Sequence, residues 1–193
     1  MTVAEFRRET PRLTLRDWRK EDWPRFWEVT NTPAVMRWLG GVADDATRAG
    51  ARERLQGYAR DHGHTFWVVE RHEDGGHLAG ELLGFCGLKR SNAEGERVEG
   101  MVEIGWRLRR EAWGHGYARE AAEASLDEGF ARFGADEIIA LTVEGNIASR
   151  TLMRRLGLTR RPELDYTDPR HGPDLNPVWV HSITRDRWGQ RAP

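Results

Sequence analysis

A single cysteine, Cys86, stands among 193 residues, so neither an intramolecular disulfide framework nor a cysteine-based zinc site can be built, and a reducing compartment is implied. Lysine is nearly as scarce. Lys20 and Lys89 are set against arginines spread over the whole chain, which reads as the coding bias of a GC-rich genome. Net charge is also missing: 30 Lys plus Arg against 31 Asp plus Glu leave −1, so no overall field draws the chain to nucleic acid or to an anionic membrane. No apolar run is long enough to cross a bilayer, and residues 1–16 are too rich in Arg and Glu to hold the apolar core of a secretion signal. The expectation is a soluble, cytoplasmic protein. Internal repeats, low-complexity tracts and linkers are absent as well, and 38% hydrophobic residues at this length lead us to expect one domain over residues 1–193.

What is present is a mixture of two periods. Residues 12–18 (RLTLRDW) alternate like a half-buried strand, and residues 21–29 change to helical spacing through Trp23, Phe26 and Trp27. Pro33 suits a first helical turn that Gly40-Gly41 ends, and Asp44 and Asp45 offer an N-cap for a helix reaching about His62. Residues 64–70, 78–89 and 98–108 are strand-like runs separated by glycine-bearing turns, which predicts an antiparallel meander. Residues 117–133 place Ala118, Ala122, Leu126, Phe130 and Phe133 on one helical stripe. A buried strand over 137–143, an amphipathic helix over 146–156 and a last strand over 177–184 complete the pattern. Residues 162–177, with four prolines, form a candidate substrate loop.

The chemically informative stretch is VEIGWRLRREAWGHGYAREA, residues 102–121. A strand leads through a basic turn and Gly114-His115-Gly116 into a helix, whose first N–H groups lack intrahelical partners and point along the positive end of its dipole. A phosphate could be held there; equally, the glycines could serve only a turn with positive φ. The stretch fits neither the Walker pattern nor the dinucleotide fingerprint, because no Gly-Lys-Ser/Thr follows and the third glycine is missing.

Four segments together resemble the GNAT superfamily of N-acetyltransferases, and more narrowly its branch of bacterial ribosomal-protein N-terminal acetyltransferases, RimJ/RimL. They are Thr10 to Arg16 with Glu21-Asp22-Trp23, Glu103-Ile104-Gly105-Trp106, Trp113 to Ala118 with Glu120-Ala121, and Asn146 to Gly157 (NIASRTLMRRLG). The resemblance implies an α+β fold, with a central mixed, mostly antiparallel sheet of about six or seven strands flanked by helices on both faces. It also implies direct acetyl transfer from acetyl-CoA to an amine, without a covalent enzyme intermediate or a metal. The central strand is then expected to splay after a bulge near Gly105, freeing backbone groups around Trp106 and Leu108 for the pantetheine arm. Gly114, His115, Gly116, Tyr117 and Ala118 would hold the pyrophosphate, and Arg109 would add charge nearby. Glu111 departs from the family's usual Gln or Arg and should point away.

The resemblance further assigns Asn146 to the pantetheine and Ser149 to the departing thiolate, although on local grounds the two read equally well as a helix cap. Leu152-Met153 stands where relatives carry a tyrosine acid. Glu103 would be the general base, taking the ammonium proton through a water; the bland alternative is a solvated glutamate paired with Arg107 on the same strand face. Cys86 reads as a core residue and the seven histidines as surface residues without metal spacing. Trp38, Trp106 and Trp179 are candidates to line an acceptor cleft, with Asp165, Tyr166 and His171 facing the acceptor. The acceptor itself stays open between a protein N-terminal α-amine and a small amine such as an antibiotic, polyamine or amino acid. A non-catalytic acyl-CoA-binding module is the rival from another class. A homodimer is compatible with the chain.

Overall fold

The computed structural model describes residues 5–190. In chain order the elements are β1 (Arg7–Glu9), β2 (Leu13–Arg16), α1 (Asp22–Thr30), α2 (Pro33–Met36), α3 (Asp45–His62), β3 (Phe66–Arg71), β4 (Leu82–Arg90), β5 (Val102–Leu108), α4 (Tyr117–Ala131), β6 (Glu137–Val143), α5 (Ile147–Arg155), β7 (Thr159–Arg160), β8 (Val178–Thr184) and α6 (Arg185–Gly189). The strands form one sheet in the order β1-β2-β3-β4-β5-β6-β8-β7. Every neighbouring pair is antiparallel except β5 with β6, which is parallel. The described residues form the expected mixed, mostly antiparallel sheet, with eight strands against the six or seven counted from the sequence. The extra ones, β1 and β7, have three and two residues, too few for alternation to be read.

Local chemistry sets the helix ends. The Asp44 carboxylate accepts from the Thr47 N–H at 2.8 Å, and Gly63 at φ 70° closes α3. Thr32 caps α2, with Pro33 at its first position. Strand alternation then divides the core. Phe66 and Val68 face α1 and α3, where they meet Trp23, Phe26 and Leu55. Trp67 and Val69 face the opposite way, with Leu126 and Phe130 of α4 and Met153 of α5. Cys86 is wholly buried in that second layer, and burial pushes its thiol up to about 12, which makes it an inert core residue.

The expected bulge is displaced. Along Gly105 the pairing of β5 with β4 is unbroken, and the register shifts between β3 and β4 at Val69/Glu70 instead. Gly84 sits at this irregularity with φ 144°, where an added Cβ would lie 2.0 Å from the Arg107 carbonyl oxygen. The sequence placed the bulge one strand too late because Gly84, Gly87 and Gly105 look alike without their partners.

A buried ion pair ties β2 to α1. Both terminal nitrogens of Arg16 donate to Asp22 at 2.8 Å, and Asp22 also accepts from the Arg19 N–H at 2.6 Å. Arg16 and Asp22 are both buried, so removing one partner strands the other's charge. Asp22→Ala is expected to lower unfolding free energy by about 3 kcal/mol in urea titration; a loss under ~1 kcal/mol would mean that Glu70, the second partner of Arg16, suffices alone.

Candidate functional site

β4 accompanies β5 over its whole length, from Gly84↔Leu108 to Arg90↔Val102, whereas β6 accompanies it only at Val102↔Ile138 and Glu103↔Ile139. The two strands part after Glu103. At either end of β5, Arg109 N–H donates to the Leu83 carbonyl and Met101 carbonyl accepts from Ser91 N–H. Odd-numbered residues therefore turn their backbone groups toward β4, and Trp106 and Leu108 turn theirs toward the side that β6 has left. The Leu108 carbonyl accepts from the Trp113 indole at 3.0 Å. Among the described residues no side chain accepts from the Leu108 N–H.

Beyond β5, one 3₁₀ turn (Arg110–Ala112) delivers the chain to Gly114 and Gly116, both at φ 80°. Gly116 is the N-cap of α4 and no side chain caps that end, so the first N–H groups of the helix remain available to an anion. Glu120 in the first turn anchors the loop: its carboxylate accepts from Thr10 Oγ1 at 2.7 Å, Arg12 N–H at 2.8 Å and Arg12 Nε at 2.7 Å. Arg12 also donates to the His115 carbonyl at 3.0 Å. Burial acts to raise the Glu120 carboxyl, but the hydrogen bonds from Thr10 and Arg12 outweigh it and hold the group below its usual range. Nothing in the sequence links residue 12 to residue 120, so this clamp was invisible there.

The candidate phosphate residues separate by role. The Tyr117 ring is buried, and its hydroxyl donates to the His77 carbonyl at 3.1 Å while accepting from Arg71 Nε at 3.3 Å; only its backbone can serve a ligand. His115 is exposed and stacks on His77 with ring centres 3.9 Å apart. Ala118 packs against the core beneath α4. Arg109 is held by Glu81 at 2.9 Å and Glu111 at 3.2 Å, so it is not the free cation that its place before the loop suggested.

Glu103 is buried, and its Oε2 accepts from Lys89 Nζ at 2.5 Å across the β4–β5 register. This corrects the alternative of a solvated glutamate paired with Arg107: the partner is one of the chain's two lysines, on the neighbouring strand. Arg107 does share its face, over the rings of Phe26, Trp27 and Phe85. On α5, Asn146 Oδ1 accepts from the Ser149 N–H at 3.2 Å. The cap is real, yet it occupies neither Asn146 Nδ2 nor Ser149 Oγ, and Ser149 stays partly exposed.

The remaining candidates scatter. Trp38 lies against Gly145, where an added Cβ would come 2.5 Å from its ring. Trp106 packs into the core below α4, and the guanidinium carbons of Arg150 and Arg160 stand 4.7 Å and 4.3 Å from the Trp179 ring centre. Asp165 is tied to Arg160 and to the Val180 N–H at 3.0 Å, Tyr166 is buried with its phenol pushed upward by desolvation, and His171 reaches the α2–α3 loop, 3.6 Å from a Cβ built on Gly40. Two histidines are not at the surface: His64 and His181 are buried, and desolvation takes His181 down to about 4. Among the described residues no three His, Cys, Asp or Glu side chains are grouped to hold a metal, and no helix is long and apolar enough to cross a membrane.

The family model described as an acetyltransferase (GNAT) domain matches residues 12–159. The chain is 28% identical over 180 residues to an uncharacterised N-acetyltransferase, YnaD, of Bacillus subtilis, covering 93% of this chain and 97% of that one. Among solved structures it resembles spermidine N-acetyltransferase from Vibrio cholerae, solved with CoA and spermine, at TM-score 0.72 and 18% identity over 94% of this chain and 100% of that one. It likewise resembles ribosomal-protein-S5-alanine acetyltransferase from Vibrio fischeri, at TM-score 0.70 and 16% identity over 95% and 98%. At such identities the likeness speaks for the fold, and the two neighbours act on different amines. The family match, which covers most of the chain, carries the identification: this protein belongs to the GNAT acetyltransferases and is an N-acetyltransferase.

Proposed function

We propose that the chain, acting over residues 1–193 as one acetyltransferase domain, binds acetyl-CoA together with an amine and transfers the acetyl group directly between them. The parting of β5 from β6 after Glu103 is the observation that carries this reading. Trp106 and Leu108 would pair with the pantetheine arm as with an added strand. Gly114, His115, Gly116 and the backbone of Tyr117 and Ala118 would surround the pyrophosphate at the α4 N-terminus. Arg109 contributes at most at the margin, because Glu81 and Glu111 already neutralise it.

In the step itself the amine lone pair attacks the thioester carbon, the C–S bond breaks, and CoA leaves as a thiolate that takes up a proton. The attacking nitrogen must first shed its ammonium proton, since an aliphatic amine is almost wholly protonated at neutral pH. Glu103 receives that proton through a water on its Oε1, while Lys89 holds Oε2 and fixes the carboxylate. Asn146 Nδ2 would steady the pantetheine, and Ser149 Oγ would donate to the thiolate. The acceptor is an N-terminal α-amine, as in the RimJ/RimL branch, or a small-molecule amine. A panel of peptides and small amines, read by CoA thiol release, tests the whole reading: turnover with at least one class is expected, and acetyl-CoA binding without any turnover would leave a non-catalytic binding module.

Two substitutions separate the roles. Glu103→Gln should lower turnover about 10²-fold and shift its pH profile to alkaline values, with acetyl-CoA affinity within about twofold. A wild-type rate and profile would leave deprotonation to solvent. Ser149→Ala should lower kcat about tenfold and leave acetyl-CoA affinity nearly constant, because a bond to the developing thiolate strengthens in the transition state. If affinity falls and turnover does not, Ser149 serves binding or the helix cap alone.

A further inference from the structure

Among the described residues the mechanism leaves unused a guanidinium whose buried nitrogens have no partner. Arg107 follows Glu103 and Gly105 along the α1-facing side of β5, on the half of the strand that β6 does not cover. Its Nε and Nη1 are sealed from solvent with no hydrogen-bond partner. Its guanidinium carbon stands 5.1 Å from the Phe85 ring centre and 5.6 Å from those of Phe26 and Trp27. The other interior arginines differ in this respect: Arg16 pairs with Asp22 and Arg71 with Asp74, both at 2.8 Å. Burial pushes the Arg107 pKa down to about 10, which leaves it charged at neutral pH.

Three aromatic faces soften the burial of a cation but accept none of its in-plane N–H groups. A fork of donors without an acceptor destabilises the fold unless a ligand completes it. The residue as a whole keeps partial exposure, so its side chain borders solvent even though Nε and Nη1 are closed off. Acetyl-CoA is a poor match for it. The site that suits its phosphates is the α4 N-terminus on the opposite face of the sheet, and the pantetheine arm is uncharged. The amine acceptor is the remaining partner on this face.

Resting on the acetyl-transfer reading, we propose that Arg107 receives a carboxylate of the acceptor, so that the substrate class is a small amine carrying its own carboxylate. Glu103 and Arg107 stand four residues apart on one strand face, about 13 Å at ~3.3 Å per residue. An acceptor whose amine lies toward Glu103 and whose carboxylate lies toward Arg107 therefore has several bonds between them, as in a dipeptide or an ω-amino acid. A polyamine offers this cation nothing but repulsion.

The test compares ω-amino acids and dipeptides with their C-terminal amides, in the wild type, Arg107→Met and Arg107→Lys. For the wild type, kcat/KM should favour the free acid by roughly 10- to 100-fold, the worth of a hydrogen-bonded charge pair. In Arg107→Met this preference should collapse to about one, and Arg107→Lys should restore part of it; a residue that merely packed against the rings would move neither ratio. Arg107→Met should also fold with an unchanged or higher melting temperature, since it removes an unpaired buried charge. Binding of the N-acetylated products, as acids and as amides, is measured by calorimetry in parallel. Equal binding and equal turnover of acid and amide in the wild type overturn the proposal, as does a preference that survives in Arg107→Met. Absence of turnover together with an Arg107-dependent preference for the acid in binding would overturn the transfer reading and uphold this one.

Discussion

The structure depends on one unmade set of hydrogen bonds. Inside a sheet, backbone groups are ordinarily paired, and a central strand left with one neighbour exposes a row of donors and acceptors that costs free energy until something else pairs with it. β5 is such a strand beyond Glu103. Its parallel partnership with β6 lasts for two residue pairs, and the rest of the sheet is arranged so that the gap persists. β4 keeps β5 straight through an unbroken antiparallel ladder. β8, bonded to β6 along seven residue pairs, holds β6 on the far side.

The same opening organises the charges around it. Glu103 and Lys89 mark its closed end, the bare N-terminus of α4 stands past its open end, and the clamp of Arg12 and Thr10 on Glu120 keeps that terminus in place. Arg109 is satisfied by its carboxylates while Arg107, two residues earlier, has none. Two arginines on the same side of one strand end thus have opposite electrostatic roles, decided by what surrounds each: Glu81 and Glu111 for Arg109, aromatic rings for Arg107.

Much of this was legible in the chain. The caps Asp44 and Asn146, the stripe of α4 and the alternation of β3, β5 and β8 are local signals, and these elements appear there, with β5 beginning at Val102 where the run from residue 98 was expected. The motif segments carried the family. What stayed hidden is non-local. The Glu103–Lys89 pair needs the register of two strands, the Glu120 clamp joins residues 108 apart, and the isolation of Arg107 is a statement about what does not surround it. The outer strands β1 and β7 were too short to show a period, and Gly105 drew the bulge that belongs beside Gly84 because a glycine's role depends on the chain that passes next to it.

Amide hydrogen exchange along β5, with and without acetyl-CoA, addresses the central claim most directly. If the open side of this strand receives the pantetheine arm, the amides of Trp106 and Leu108 and those of the first turn of α4 gain protection together on adding acetyl-CoA, while the β4-facing amides of Gly105 and Arg107 change little. Saturating acetyl-CoA that leaves the Trp106 and Leu108 amides exchanging as in the free protein would contradict the account.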